Sequence, residues 1–208
     1  PSTTGIYSLQ PSFKKVPKYA NHVTIPKVFS LNGYNTSTLG KIYHGVPPKG
    51  EFDKVGTKAP LPNRFPDEKL VKTPQNHKLV DWGIWPPKDS DQQDYKTADW
   101  AVNELSQKPK DPFFMAVGFF RPHVPLYASQ EWFDLYPEES LILPPIRRDD
   151  RRDTPRFSWY LHWLLPEPRL KFLDENKQLQ NKVRSYLASV SFMDSQVGRV
   201  LDALKESG

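Results

Sequence analysis

The chain has 208 residues, 22 prolines, no cysteine, 13% aromatic residues and a formal net charge of +5. Without cysteine it holds no disulfide framework, thiolate metal site or thiol nucleophile, and no apolar run approaches the roughly 18 residues that span a bilayer, so no membrane contact is expected. Its aromatic content argues for a loop-rich folded chain and against disorder, and its first 80 residues carry 12 basic but only 4 acidic side chains, which suits either an anionic partner or solvated loops.

Residues 1–22 show no period and read as irregular. Thr24 as N-cap, Pro26 in the first turn and the apolar stripe Ile25, Val28, Phe29 and Leu31 predict a helix that Asn32-Gly33 stops. Tyr34 to Leu39 predicts a short strand, followed by Gly40-Lys41-Ile42-Tyr43-His44-Gly45. Residues 45–93 hold eight prolines and little periodicity, and a structureless stretch of that length is often functional. Ala98, Ala101, Val102 and Leu105 then predict a helix over 94–107, ended by Pro109 and Pro112. The continuous apolar run Phe113 to Phe120 predicts a central strand buried on both faces of a parallel sheet. Arg121-Pro122-His123-Val124-Pro125 follows it.

Residues 126–176 form a second proline-rich region. Its run from Arg147 to Asp153 mixes both signs, which argues for self-pairing and against a nucleic-acid surface. Val183, Tyr186, Leu187, Val190, Met193, Val197, Val200, Leu201 and Leu204 recur every three or four residues and predict one long amphipathic helix. Helix followed by strand occurs twice, so the expected fold class is α/β, with a central, mostly parallel sheet and flanking helices. The chain opens at Pro1 and stops directly after the helical pattern, which suggests an incomplete domain.

Ligands of open α/β sheets bind beyond the carboxyl ends of the strands. Two segments fit that place, and each holds a histidine beside a basic residue. Lys41 and His44, together with Arg121 and His123, would form a cationic cluster for an oxyanion. Arg121 has an equal alternative as a structural cation paired with a nearby carboxylate. His22 and His77 read as surface residues, and Asp194 as a structural hydrogen-bonding group in the helix. The Asn35-Thr36-Ser37 sequon falls in the predicted strand, where occupancy is not expected.

These residues carry a family resemblance. Gly33-Tyr34-Asn35-Thr36-Ser37-Thr38-Leu39-Gly40-Lys41 followed by His44 resembles the second sulfatase signature. Phe113 to Leu126 is similar to the sulfatase strand that ends in a Lys/Arg-Pro-His motif. Tyr186 to Leu204 resembles the long helix preceding the second metal-ligand strand. The two-residue spacing between Lys41 and His44 is closest to the iduronate-2-sulfatase-like members. The resemblance implies an alkaline-phosphatase-like sulfatase fold, with residues 1–208 as the central part of the catalytic domain, and hydrolysis of sulfate esters of carbohydrates such as iduronate-2-sulfate or other polysaccharide sulfates.

It also implies roles. Lys41 would contact a sulfate oxygen and the nucleophile, a formylglycine made from Cys or Ser. His44 would be a base for releasing sulfate, and His123 a general acid at the leaving oxygen. Arg121 would sit at a basic position of the substrate site. The aromatic-rich segments Asp81–Pro86, with Trp85, and Arg156–Trp163 read as loops. They would stack sugar faces, with Arg156 and His162 taking further sulfates or carboxylates, or would fill gaps beneath the loops. The family's C-x-P-x-R signature and its opening Asp-Asp calcium pair have no counterpart here. Asp149-Asp150 is no substitute, because it does not end an apolar strand. Calcium, its ligands and a formylglycine-generating or anaerobic maturase are therefore expected of the full-length enzyme, exported to the periplasm or secreted, and no turnover is expected from these residues alone. The alternatives are a phosphodiesterase or phosphonate hydrolase of the same superfamily, and a non-catalytic module for anionic polysaccharides.

Overall fold

A computed structural model describes residues 4–7, 13–61, 64–147, 149–163 and 165–208, with backbone only for 161–163. In chain order the elements are α1 (Ile25–Leu31), β1 (Asn35–Gly40), β2 (Lys54–Val55), β3 (Trp82–Ile84), α2 (Gln93–Ser106), β4 (Phe113–Gly118), β5 (Leu126–Ala128), α3 (Gln130–Asp134), α4 (Arg156–Trp163), α5 (Leu170–Glu175) and α6 (Leu179–Ser207). They fall into two compact units. The first gathers Pro1–Ala59, Lys96–Phe120 and Gly198–Gly208, and the second Pro60–Tyr95 and Arg121–Val197.

The first unit is built on a three-stranded parallel sheet in the order β2-β1-β4. β1 and β4 run in register from Asn35↔Phe113 to Gly40↔Gly118. Thr36, Thr38 and Leu39 are buried, as are Ala98, Ala101 and Leu105 of α2. The threonines tolerate burial because each hydroxyl has a partner. Thr38 donates to the Ala116 carbonyl at 2.8 Å, and Thr36 donates to Asp53 at 2.8 Å through its hydroxyl and 2.9 Å through its amide.

Two expectations change here. β1, not β4, is the sheet centre among the described residues. β4 ends at Gly118 and pairs there only with β1, so its apolar side chains stay half-buried. The apolar stripe of α1 does not face the core, since Ile25, Val28 and Leu31 are all exposed. Phe29 anchors that helix instead, stacking on Phe114 with centroids 4.5 Å apart. Thr24 makes no side-chain cap bond; its hydroxyl donates to Glu51.

The second unit pairs β3 and β5 in parallel, Trp82 opposite Leu126. Residues 81–86 are thus part strand, and Trp82 is a core residue packed with Val71, Val80, Leu126 and Leu173. A second cluster joins Ala128, Phe133, Ala188 and Phe192. The expected loop over 156–163 is helix α4, and the proline-rich regions hold β2, β3, β5, α3 and α5 as well. The long helix is present, but its buried face is Ser185, Ala188, Ser189, Phe192 and Gln196, while Tyr186, Leu201 and Leu204 of the expected stripe are exposed. Small side chains let this helix approach β5 closely. Ser185 and Ser189 stay satisfied by donating to carbonyls one turn back, each at 2.7 Å, and Ser189 also reaches the Tyr127 carbonyl at 3.4 Å.

Candidate functional site

The turn after β1 begins with a glycine that backbone sterics require. Gly40 has φ +94°, and a Cβ there would run into the Gly118 carbonyl and meet Thr97. A Cβ on Gly118 would lie 2.5 Å from the Lys41 carbonyl carbon. Bare backbones on both strands therefore let them close at their carboxyl ends, and the Lys41 amide donates to the Gly118 carbonyl at 2.8 Å. Only glycine accepts that geometry without strain.

This closure sends Lys41 out of the sheet. Its ammonium lies 4.6 Å from the centroid of the Phe120 ring, and it makes no hydrogen bond or ion pair with a described residue. His44 is exposed three residues on. Between them Tyr43 is half-buried and stacks with Phe13 at 6.2 Å. Burial pushes the Tyr43 hydroxyl up, and the charge of and hydrogen bond to Glu51 push it further. Glu51 is 4% exposed. Burial alone would raise its carboxyl, but the hydrogen bonds from Thr24 and from Lys14, at 3.0 Å, outweigh it and hold Glu51 below the usual range. A buried carboxylate thus tethers the turn that carries Lys41 and His44. Sequence reasoning missed it; the only signal was one of four acids in a strongly basic stretch.

The loop after β4 is built differently. Both X–Pro bonds flanking His123, Arg121-Pro122 and Val124-Pro125, are cis. The Arg121 amide donates to Asp94 at 2.7 Å. Its guanidinium donates to Gln92 at 3.3 Å, to the His123 carbonyl at 3.4 Å and to the Pro125 carbonyl, and lies over the Tyr127 ring at 5.6 Å. Burial pushes Arg121 down to about 10, against the opposing charge of Asp94. The Arg121 guanidinium thus braces the loop through Gln92 and two backbone carbonyls. His123 is exposed, with Nδ1 2.8 Å from the Val124 carbonyl. A carbonyl only accepts, so Nδ1 carries a proton.

Lys41 and His44 belong to the first unit and Arg121 and His123 to the second; within each, the pair shares one loop. The other expected contacts lie in the second unit. Trp85 is half-buried, with its indole N–H buried and without a partner among the described residues. Arg156 is exposed at the start of α4, near exposed Phe157 and Tyr160. Trp159 donates to Thr154 at 3.0 Å and lies under Arg151 at 5.8 Å. His162 is in α4, with its side chain outside the described residues. His22 and His77 are exposed, and Arg147 pairs with Asp149 at 3.3 Å, as the alternating charge run implied. Among the described residues no group of three His, Asp or Glu could hold a metal ion, so the calcium implied by the resemblance does not fit the residues present.

Comparison with known proteins gives a consistent result. The Sulfatase family model matches residues 1–208. A sulfatase of Formosa agariphila is 37% identical over 222 residues, covering 100% of this chain and 44% of its own length. The iduronate 2-sulfatases of mouse and human are 30% and 29% identical, each covering 99% of this chain and 41% of its own length. The chain thus spans less than half the length of these relatives.

Proposed function

The chain belongs to the sulfatase family, and from that premise we propose that it supplies the anion-holding and proton-transfer residues of a sulfuric ester hydrolase acting on sulfated carbohydrates. The observation that carries this reading is the Gly40–His44 turn. It stands at the carboxyl end of the central parallel strand and presents an ammonium with no counter-charge among the described residues. A sulfate monoester is an anion whose leaving group departs as an alkoxide. It needs a cation on its non-bridging oxygens and a proton for the leaving oxygen. Lys41 supplies the first, as a compact charge with rotatable donors. His123 supplies the second from its imidazolium form, giving up the Nε2 proton while Nδ1–H stays on the Val124 carbonyl. His44, exposed beside Lys41, is the base that takes a proton when sulfate leaves. Arg121 acts indirectly, holding the His123 and Pro125 carbonyls.

Kinship to iduronate 2-sulfatases supports a sulfated uronate or another sulfated polysaccharide unit as substrate. Arg156 and the exposed aromatics of α4 would contact neighbouring sugars, with His162 and Trp85 in the same role. The nucleophile and the calcium ion of the family have no residues here to carry them, since the chain has no cysteine and no S-x-P-x-R. These 208 residues alone are expected to bind sulfate esters without hydrolysing them, and the whole protein requires a formylglycine-forming maturase as partner.

The test is release of sulfate from a panel of sulfated glycans by the whole protein that carries this chain. Lys41→Ala and His123→Ala are each expected to lower kcat by on the order of 100-fold. Near-normal turnover in either variant removes that residue from the reaction, and robust aryl sulfate hydrolysis by the 208 residues alone contradicts the expected lack of turnover.

A further inference from the structure

We propose that Phe120 is a positioning residue for Lys41, holding its ammonium by the ring face so that it is fixed yet not neutralised. The inference rests on the sulfate-binding reading of Lys41 and adds a residue to it. Its basis is a contrast with three other lysines of the chain. Lys14 meets Glu51 at 3.0 Å, while Lys54 and Lys182 meet Glu104 and Glu167, each at 2.6 Å. In each case a carboxylate takes donors and cancels charge. Lys41 has no such partner among the described residues. It has instead the shortest ammonium-to-ring distance among them, 4.6 Å to Phe120, against 5.0 Å for Lys182 over Trp82 and 5.4 Å for Lys18 over Tyr19.

The backbone arranges this pair. Gly40 and Gly118 sit in register, and the Lys41 amide is bonded to the Gly118 carbonyl at 2.8 Å. Lys41 and Phe120 therefore leave the same closed strand ends, one and two residues beyond the paired glycines. A free lysine loses much rotamer freedom when it grips a ligand. A carboxylate partner would reduce that loss but would compete with the ligand for the same charge. An aromatic face attracts the ammonium through its quadrupole and leaves N–H groups directed away from the ring. Phe120 thus prepares Lys41 for a sulfate oxygen.

The experiment follows the ε-methylene protons of Lys41 by NMR in the ¹³C-lysine-labelled 208-residue chain, assigned with Lys41→Arg, while inorganic sulfate is titrated in. In the wild type and in Phe120→Tyr the Lys41 signal is expected upfield of the other lysines, from the ring current. In Phe120→Leu it returns among them, and sulfate affinity falls by about fivefold. The wild-type shift does not depend on the Phe120 variants folding. An unshifted wild-type signal, or equal sulfate affinity in all three proteins, overturns the proposal. If the upfield signal is present but sulfate moves it in none of them, the assignment of Lys41 to sulfate fails first, and the role of Phe120 falls with it. If sulfate binds saturably at an unshifted Lys41, Phe120 alone is excluded.

Discussion

Two cations follow two parallel strands, Lys41 directly after β1 and Arg121 shortly after β4, and their surroundings are opposite. Among the described residues the Lys41 ammonium meets an aromatic ring and no carboxylate. Arg121 is half-buried, its amide fixed by Asp94 and its guanidinium committed to Gln92 and two carbonyls. Strand-end position alone therefore does not make an anion site. What decides is whether donors remain after the loop has satisfied itself. On that measure Lys41 is the cation we propose for anion binding, and Arg121 braces the loop that carries His123.

The largest expected effect comes from closing the gap that aims Lys41. Gly40→Ala puts a side chain against the Gly118 carbonyl at φ +94° and should destabilise the first unit by about 3 kcal/mol, measured by urea unfolding. Next, Arg121→Met leaves Gln92 and the His123 and Pro125 carbonyls without their donor, and should destabilise the second unit by about 2 kcal/mol. Lys41→Met, by contrast, should change stability by less than about 0.5 kcal/mol while abolishing sulfate binding. Equal stability losses from the two substitutions would erase the contrast.

A smaller effect separates the units by pH. Glu51 and Asp53 are held below their ordinary values of 4.5 and 3.8, Asp53 first by the Thr36 amide and then by its hydroxyl. Their contribution is complete above the unfolded values and is lost as pH falls through the lower folded ones. Glu131 in the second unit runs the other way. Its hydrogen bond with Asp89, then burial, raises it above 4.5. Its contribution is therefore complete below that value and is lost as pH rises through the folded one. Amide protection factors should fall more in β1 than in β5 between pH 7 and pH 3.5, and Glu51→Gln should shrink the difference.

Much of this was legible in the sequence because it rests on local chemistry. Asn32-Gly33 ended α1, and the apolar run Phe113 to Phe120 read as a strand, which the fold forms over Phe113–Gly118. The Gly40-Lys41-x-x-His44 pattern placed a cation where strands end. The remainder depended on distant partners. The periodicity of α6 pointed to its larger apolar residues, but close packing on β5 selects Ser185, Ala188 and Ser189. Helix α4 was read as a loop because its aromatics follow no clear period. Thr24 had the residue type of an N-cap, yet Glu51, 27 positions away, takes its hydroxyl. For Arg121 the sequence left a substrate-binding and a structural reading open, and the carbonyls around its guanidinium come from a loop geometry that no motif shows.

The most direct test of the account is a crystal of the chain soaked with a sulfate ester. The sulfate group is predicted to lie within hydrogen-bond distance of Lys41 Nζ, with the Arg121 guanidinium still on the His123 and Pro125 carbonyls. A sulfate seated on Arg121, or on the arginines between Arg147 and Arg156 with Lys41 uncontacted, would contradict it.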